Sequence, residues 1–211
     1  NRRFYHTPDL SGTLKDGSRQ LNLVIGSGFQ AHPLDTAIED RLYKLDVSSI
    51  VAPTDDEGNI EYTTLTEDDL YDTTDNLVQQ GTDSQKEAAE TNLAEGDGWY
   101  IRLTRSGEKV LSSSTTLRGD VYITTYEPSG NLDPCVPAAG QARLYHVKLR
   151  DGRAVVNYDD IGSDSELTKP DREKTLKTTG LPPSPKPITI DGKEIIVTGS
   201  ETTKAPPPKS L

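Results

Sequence analysis

The side chains that could do chemistry in this chain are few, and none falls into a complete catalytic pattern. Gly26-Ser27-Gly28-Phe29-Gln30-Ala31 fits G-x-G-x-x-A directly after the apolar run Leu23-Val24-Ile25. In a dinucleotide fold such glycines open a helix whose N-terminus holds pyrophosphate. Here Pro33 follows where that helix would have to continue, and no β-α-β unit surrounds the segment. The expected role is a glycine turn that closes a strand. Arg118-Gly119-Asp120 is an integrin-type tripeptide and the candidate receptor-binding triplet. Recognition needs the Arg and the Asp to project from a loop tip. The triplet stands immediately before a predicted strand, where Gly-Asp equally makes a plain turn.

Asp55-Asp56-Glu57-Gly58-Asn59 has oxygen ligands for calcium but not the EF-hand order. Asp68, Asp69, Asp72 and Asp75 form a second acidic group, and both read as solvated surface. His6, His32 and His146 are the only histidines; no two stand at metal-ligand spacing, and none has a Cys or His beside it. There is no G-x-S-x-G elbow or other nucleophile motif. No residue is therefore assigned as catalytic, cofactor-binding or metal-ligating. Cys135, the single cysteine, sits in the stiff stretch Asp133-Pro134-Cys135-Val136-Pro137. It is a candidate for a disulfide to chain outside the segment, with a free thiol as the alternative.

The elements that must position these residues are β-strands. Leu23-Val24-Ile25, closed by Gly26-Ser27-Gly28, is followed after a spacer by Arg41-Leu42-Tyr43-Lys44-Leu45-Asp46. Much later, Val121-Tyr122-Ile123-Thr124-Thr125-Tyr126 is followed by a spacer and Arg143-Leu144-Tyr145-His146-Val147. Each unit reads as strand, long loop, strand, with Arg-Leu-Tyr at the same phase. Such echoes mark propellers and solenoids, whose units cannot bury their hydrophobic faces alone. Trp99 to Leu103, Lys109 to Leu111, Val121 to Tyr126 and Leu144 to Leu149 read as four successive strands, the content of one blade. Asp151-Gly152 predicts a hairpin turn into Ala154-Val155-Val156.

Between the β regions, about residues 48–98, lies an acidic, Thr-rich insertion. Thr66-Glu67-Asp68-Asp69-Leu70 looks like a helix start, with Leu70, Leu77 and Val78 near one face. A second helix is predicted from Ser84 to Leu93, stopped by Gly96-Asp97-Gly98. After residue 158 the chain is sparse. Leu181 to Pro187 is extended and stiff, and Asp191-Gly192 turns a hairpin at about 188–197. The tail beyond Gly199 is expected to be disordered unless a partner holds it.

Composition narrows the functional classes. With a net charge of -11, the chain repels nucleic acid and anionic lipid, and no Lys/Arg cluster interleaved with aromatics reverses this locally. No apolar stretch approaches membrane-spanning length. Only 32% of the 211 residues are hydrophobic, so the core must be thin or completed by other chain. The absence of methionine predicts a mature product or a segment of a longer protein.

Several phrases together resemble the PilY/PilC proteins, large type IV pilus biogenesis factors and tip adhesins. Phe29-Gln30-Ala31-His32-Pro33-Leu34 followed by Asp40-Arg41-Leu42-Tyr43 looks like that family's "SG-x-R-A-H-P-L … D-R-x-Y" segment. The resemblance continues in order through Asp69-Leu70-Tyr71-Asp72-Thr73, Gly98-Trp99-Tyr100, Gly107-Glu108-Lys109-Val110-Leu111 and Thr124-Thr125-Tyr126-Glu127-Pro128. It ends with Cys135 ahead of Leu144-Tyr145 and with Gly180-Leu181-Pro182-Pro183.

The resemblance implies the last blades of a modified β-propeller and its extension; with the acidic helical insertion and extended C-terminal tail read from the residues, the expected fold is mainly β. Residues 1–158 would be the partial propeller and 159–211 a C-terminal extension. It implies export to the periplasm, outer membrane surface and pilus tip of a Gram-negative bacterium. Minor pilins are the implied partners, with a host or abiotic surface, in pilus biogenesis, twitching and adhesion. A calcium loop belongs to the upstream propeller, with no counterpart here, so no cofactor is assigned to this segment. Two alternatives remain: a quinoprotein-like propeller dehydrogenase and a free-standing secreted adhesin.

Overall fold

The strands pair into three sheets, and the alternation of their apolar residues gives each sheet an apolar face. A computed structural model of the chain describes residues 2–15, 17–47, 54–61, 64–129, 139–159 and 166–206; Cys135 lies outside them. The first sheet contains β1 (Asp9–Lys15), β2 (Ser18–Gly26), β3 (Arg41–Val47), β4 (Tyr71–Asp72) and β5 (Gly98–Arg102), in the spatial order β1-β2-β3-β5-β4. The second contains β6 (Lys109–Val110), β7 (Thr115–Leu117), β8 (Asp120–Glu127), β9 (Gln141–Lys148) and β10 (Glu173–Thr179). Its order is β10-β9-β8-β6, with β7 also pairing with β8. The third is the antiparallel meander β11 (Lys186–Ile190), β12 (Lys193–Thr198) and β13 (Glu201–Lys204). The protein is mainly β, and none of the three described sheets closes into a barrel.

The two echoing units are the central antiparallel pairs of the first two sheets. Ile25 pairs with Tyr43 across β2 and β3, and Ile123 pairs with Tyr145 across β8 and β9. Two apolar clusters follow from strand alternation. Val24, Leu42, Trp99, Ile101 and Leu103 from the first sheet pack on Val110, Val121, Ile123, Tyr145, Val147 and Leu149. On the other face of the second sheet, Tyr122, Ala142, Leu144 and Leu176 pack on Ile196 of β12. The second sheet is therefore the middle layer, buried on both faces, and seven of the eight residues of β8 are buried.

The seam between the first two sheets explains the glycines. A Cβ on Gly26 would lie 2.3 Å from the Val110 side chain, and one on Gly28 would lie 2.2 Å from the Val110 carbonyl oxygen. Between them, the Ser27 carbonyl accepts from the Val110 N–H at 2.9 Å. The G-x-G-x-x-A pattern thus marks close backbone approach and precedes no helix. Nearby, the buried Trp99 Nε1–H donates to the Leu149 carbonyl at 2.9 Å, joining the sheets a second time.

Several expectations are corrected. The strand at Trp99 pairs with β3, so it completes the first sheet and does not open a blade with the three strands after it. The helix expected from Thr66 is a single 3-10 turn, Glu67–Asp69, and Tyr71–Asp72 then runs as a strand parallel to β5. Leu70 therefore shares no helix with Leu77 and Val78. The chain returns through α1 (Leu77–Gln80) and α2 (Asp83–Glu95), making the insertion a β-α-β crossover on the sheet edge. The second helix is found as expected, with Thr82 and Gln85 forming a capping box. Ala154 makes only an isolated bridge to Val147, not a strand. Beyond Gly199, whose φ of +63° turns the chain, residues 201–204 pair with β12 and are ordered as β13. After residue 158, β10 pairs with β9 and completes the second sheet.

The Pro-rich stretch is extended, and it is laid across the second sheet: Thr124 Oγ1 donates to the Pro183 carbonyl at 3.0 Å and Thr115 Oγ1 to the Pro185 carbonyl at 2.8 Å.

Replacing Gly28 by Ala should cost about 1–3 kcal/mol, because the new methyl meets a backbone carbonyl that cannot rotate away. Urea denaturation followed by Trp99 fluorescence checks this; an unchanged midpoint would place the seam elsewhere.

Candidate functional site

The receptor-type triplet is built as a tight hairpin. Leu117 pairs with Asp120, and Arg118 and Gly119 between them have φ of 53° and 83°, the left-handed pair that a two-residue turn demands. Asp120 is fully buried. Its carboxylate accepts from Lys148 Nζ and, at 3.1 Å, from His146 Nε2. The other ring nitrogen, Nδ1, is hydrogen-bonded to Tyr158 Oη at 2.8 Å. Tyr122 stacks on the imidazole with a centroid separation of 4.3 Å. Burial lifts the phenol pKa of both Tyr122 and Tyr158 well above its ordinary value. Arg118 is ion-paired with Glu194 of β12 and donates to the Pro206 carbonyl at 2.7 Å. The aspartate is thus a structural anchor, and the arginine is held by the third sheet. This arrangement does not present the triplet as a receptor loop.

The segment that resembles the PilY/PilC motif is positioned in the same detail. Asp40 accepts from Ser27 Oγ at 2.7 Å, and burial pushes its carboxyl above the usual range. Arg41 and Tyr43 point to the opposite side of β3, toward the insertion. There Glu67 accepts from Tyr43 Oη at 2.5 Å and from Arg2 at 3.0 Å, and is ion-paired with Arg41. Lys109 is buried, and its ammonium donates to the Pro33, Asp35 and Gly107 carbonyls at 2.9, 2.6 and 2.8 Å. That tripod clamps the loop holding His32 and Pro33. On the loop's surface Phe29 carries Arg3 over its ring at 3.7 Å, with Tyr5 stacked at 6.2 Å and His32 at 4.6 Å. Leu34 and Tyr5 remain exposed there.

The acidic groups are used locally. Asp55 accepts from the Glu57 and Asn59 N–H groups and from the Asn59 side chain, closing a turn; these bonds, the Asn59 side chain's foremost, hold its carboxyl below the usual range. Asp72 accepts from Thr74 and pairs with Arg102. Asp68, Asp69, Glu95 and Asp97 line an open cleft of about 320 Å³ at the C-terminal end of α2. Among the described residues, no group of three or more His, Cys, Asp or Glu is placed to hold a metal ion.

Three structurally decisive residues were not singled out from the sequence. One is Lys109, already described. Another is Asp171, which is buried and accepts from the Thr168 N–H at 2.7 Å, Thr168 Oγ1 at 2.9 Å and the Tyr158 N–H at 2.8 Å. The third is Arg172, whose guanidinium donates to the carbonyls of Thr73 and Thr74 and ties the insertion to the last strand of the second sheet. A signal for Asp171 existed. Thr168-Lys169-Pro170-Asp171 repeats the T-x-x-D spacing of Thr66-Glu67-Asp68-Asp69, and in both the Asp accepts from the Thr N–H at 2.7 Å and its hydroxyl at 2.9 Å. Both motifs lead through a 3-10 turn toward a strand.

The chain is similar to the solved structure of the C-terminal domain of PilY1 from Pseudomonas aeruginosa. The TM-score is 0.62 at 13% sequence identity, covering 98% of this chain and 45% of that one. The likeness defines the fold: a β architecture shared with that domain along nearly the whole chain, which spans under half the length of the neighbour. No protein-family model and no curated protein matches the sequence. No helix among the described residues is long and apolar enough to cross a membrane.

Burial alone would push the Asp171 carboxyl up, but the N–H donors of Thr168 and Tyr158 outweigh it and hold the carboxyl below its ordinary range. A depressed folded-state value stabilises the protein above the ordinary carboxylate range and is lost as pH falls through it. Asp171→Asn should therefore cost about 1–3 kcal/mol at neutral pH. The deficit relative to the parent should shrink as the buffer is taken below about pH 4. Urea denaturation of both proteins across that range measures it; a deficit independent of pH would refute the ionised anchor.

Proposed function

We propose that this chain is a binding and assembly module of a type IV pilus tip factor, working through shape and exposed surfaces and not through bond chemistry. The single observation that carries the reading is the fold shared with the PilY1 C-terminal domain over 98% of the chain. It is supported by the ordered series of PilY/PilC-like phrases, several of which have defined structural work in this protein. Asp40 holds Ser27, Arg41 and Tyr43 reach Glu67, and Lys109 clamps the loop at Pro33.

In this reading the stacked sheets are blades of a modified β-propeller. They give a rigid frame from which loops contact minor pilins and a host or abiotic surface. The protein works outside the cytoplasm of a Gram-negative bacterium, between periplasm, outer membrane surface and pilus tip. Pilus biogenesis, twitching and adhesion are the processes it serves. Any calcium belongs to propeller chain outside this segment. The aromatic ledge of Tyr5, Phe29 and His32 is a surface suited to such contacts, since flat rings present large rigid area at low entropic cost.

Deleting the gene in its own bacterium should abolish surface pili and twitching, both restored by complementation. Pili left standing with surface binding lost would instead mark a free-standing adhesin.

A further inference from the structure

Ile101 and Arg102 of β5, Tyr145 of β9 and the 3-10 turn Pro170–Arg172 border a cleft of about 190 Å³ where the first two sheets meet. Four cations line it, Arg102, Arg105, Lys169 and Arg172, against a single carboxylate, Glu173. Ile101, Tyr145 and Pro170 supply an apolar wall. In a chain whose net charge is -11, this gathering of positive charge is a local reversal that folding creates.

The four cations are not equivalent. Arg105 and Glu173 neutralise each other, because both carboxylate oxygens accept from the one guanidinium. Arg102 Nε lies 2.8 Å from an Asp72 oxygen, and Lys169 Nζ donates to Asp75 at 3.0 Å. The Arg102 and Lys169 side chains are 42% and 43% exposed, and each keeps N–H donors for a further partner. Arg172 differs from both: it is only 2% exposed. Its hydrogen bonds among the described residues go to the Thr73, Thr74 and Gly152 carbonyls and the Thr73 hydroxyl, all neutral. Burial pushes its pKa down to about 10, with Glu173, Asp75 and Asp72 acting on it from beyond ion-pairing distance. A buried charge is ordinarily paired, because carbonyl dipoles do not cancel it. This one has no counter-charge in contact and stands on the wall of a cleft.

We infer that this cleft binds a small oxyanion, a carboxylate or phosphate group on a short body, with Arg172 at its base and Arg102 and Lys169 at its mouth. The anion supplies the counter-charge that Arg172 lacks, and guanidinium groups match the paired oxygens of either headgroup. Volume limits the body. At about 30 Å³ per water the cleft has room for roughly six waters, well under the about 300–1,000 Å³ of sites for drug-sized ligands. A nucleotide or a sugar chain is too large, whereas a headgroup with a few carbon atoms fits against Ile101, Tyr145 and Pro170. Arg172 already joins the Thr73-Thr74 turn to the second sheet, so an anion held on it stiffens the same joint. The inference concerns a cleft within this chain and does not depend on the pilus role.

The test is calorimetric titration of the purified protein at neutral pH with inorganic phosphate and, separately, with benzoate, chloride holding the ionic strength constant. At least one probe should bind saturably, one per chain, with a Kd of about 1 mM or tighter. Phosphate alone binding assigns the headgroup as phosphate, and benzoate alone assigns it as carboxylate. The double variant Arg102→Gln, Lys169→Gln removes two exposed charges and should keep the parent's Trp99 fluorescence while binding at least about tenfold more weakly. Arg172→Gln should abolish binding; if that variant does not fold, the double variant decides. Neither probe saturating by about 20 mM, or the double variant binding as tightly as the parent, would overturn the proposal. Loss of piliation on gene deletion bears on the functional reading alone, so the two can fail separately.

Discussion

The close approach of residues 26–28 to Val110 fixes the rest of the molecule. A strand that ends without side chains lets the edge of the second sheet lie against its backbone, and one hydrogen bond from Val110 to Ser27 sets the register. Leu42, Trp99 and Ile101 then meet Val121, Ile123 and Tyr145. The residue next to Val110 is Lys109, so the same contact delivers an ammonium to the carbonyls of the loop at Pro33. Ser27, between the two glycines, is placed to hold Asp40. Shape at the seam and order in the motif loop are thus one arrangement.

Polar hubs make a single body out of sequence-distant parts. Glu67 gathers Arg2, Arg41 and Tyr43. Asp171 gathers backbone N–H groups from two stretches of chain. Arg172 is the costliest of them. Its guanidinium is buried, and burial pushes its pKa down to about 10 even with carboxylates in the neighbourhood. It is held by carbonyl dipoles of the Thr73 and Thr74 turn. A buried charge satisfied in this way contributes little net stability but penalises any other placement of the two segments it joins.

The motifs that resemble the PilY/PilC proteins are mostly architectural. Asp40, Arg41, Tyr43, Lys109 and Trp99 all spend their polar atoms on other parts of the same chain. The same holds for the receptor-type triplet, whose aspartate is an internal anchor for His146 and Lys148.

Strand existence, the two echoing units and their alternation were legible in the sequence, because a period of two and a Gly or Asp-Gly stop are local properties. So were the α2 helix, with its Thr82 and Gln85 cap, and the hairpin at Asp191-Gly192. Partnership was not local. Nothing in Trp99 to Leu103 says that it pairs with a strand more than fifty residues earlier, and nothing in Tyr71-Asp72 says strand until β5 offers an edge. The Thr-rich tail has no apolar drive of its own and is ordered only because β12 presents unpaired backbone groups beside it. Sequence by itself determined which residues alternate and where the chain turns. Tertiary structure decided which strands meet, which way each sheet faces, and that Asp120 lies inside while Leu14 lies out, since those outcomes depend on contacts between segments that no local pattern encodes.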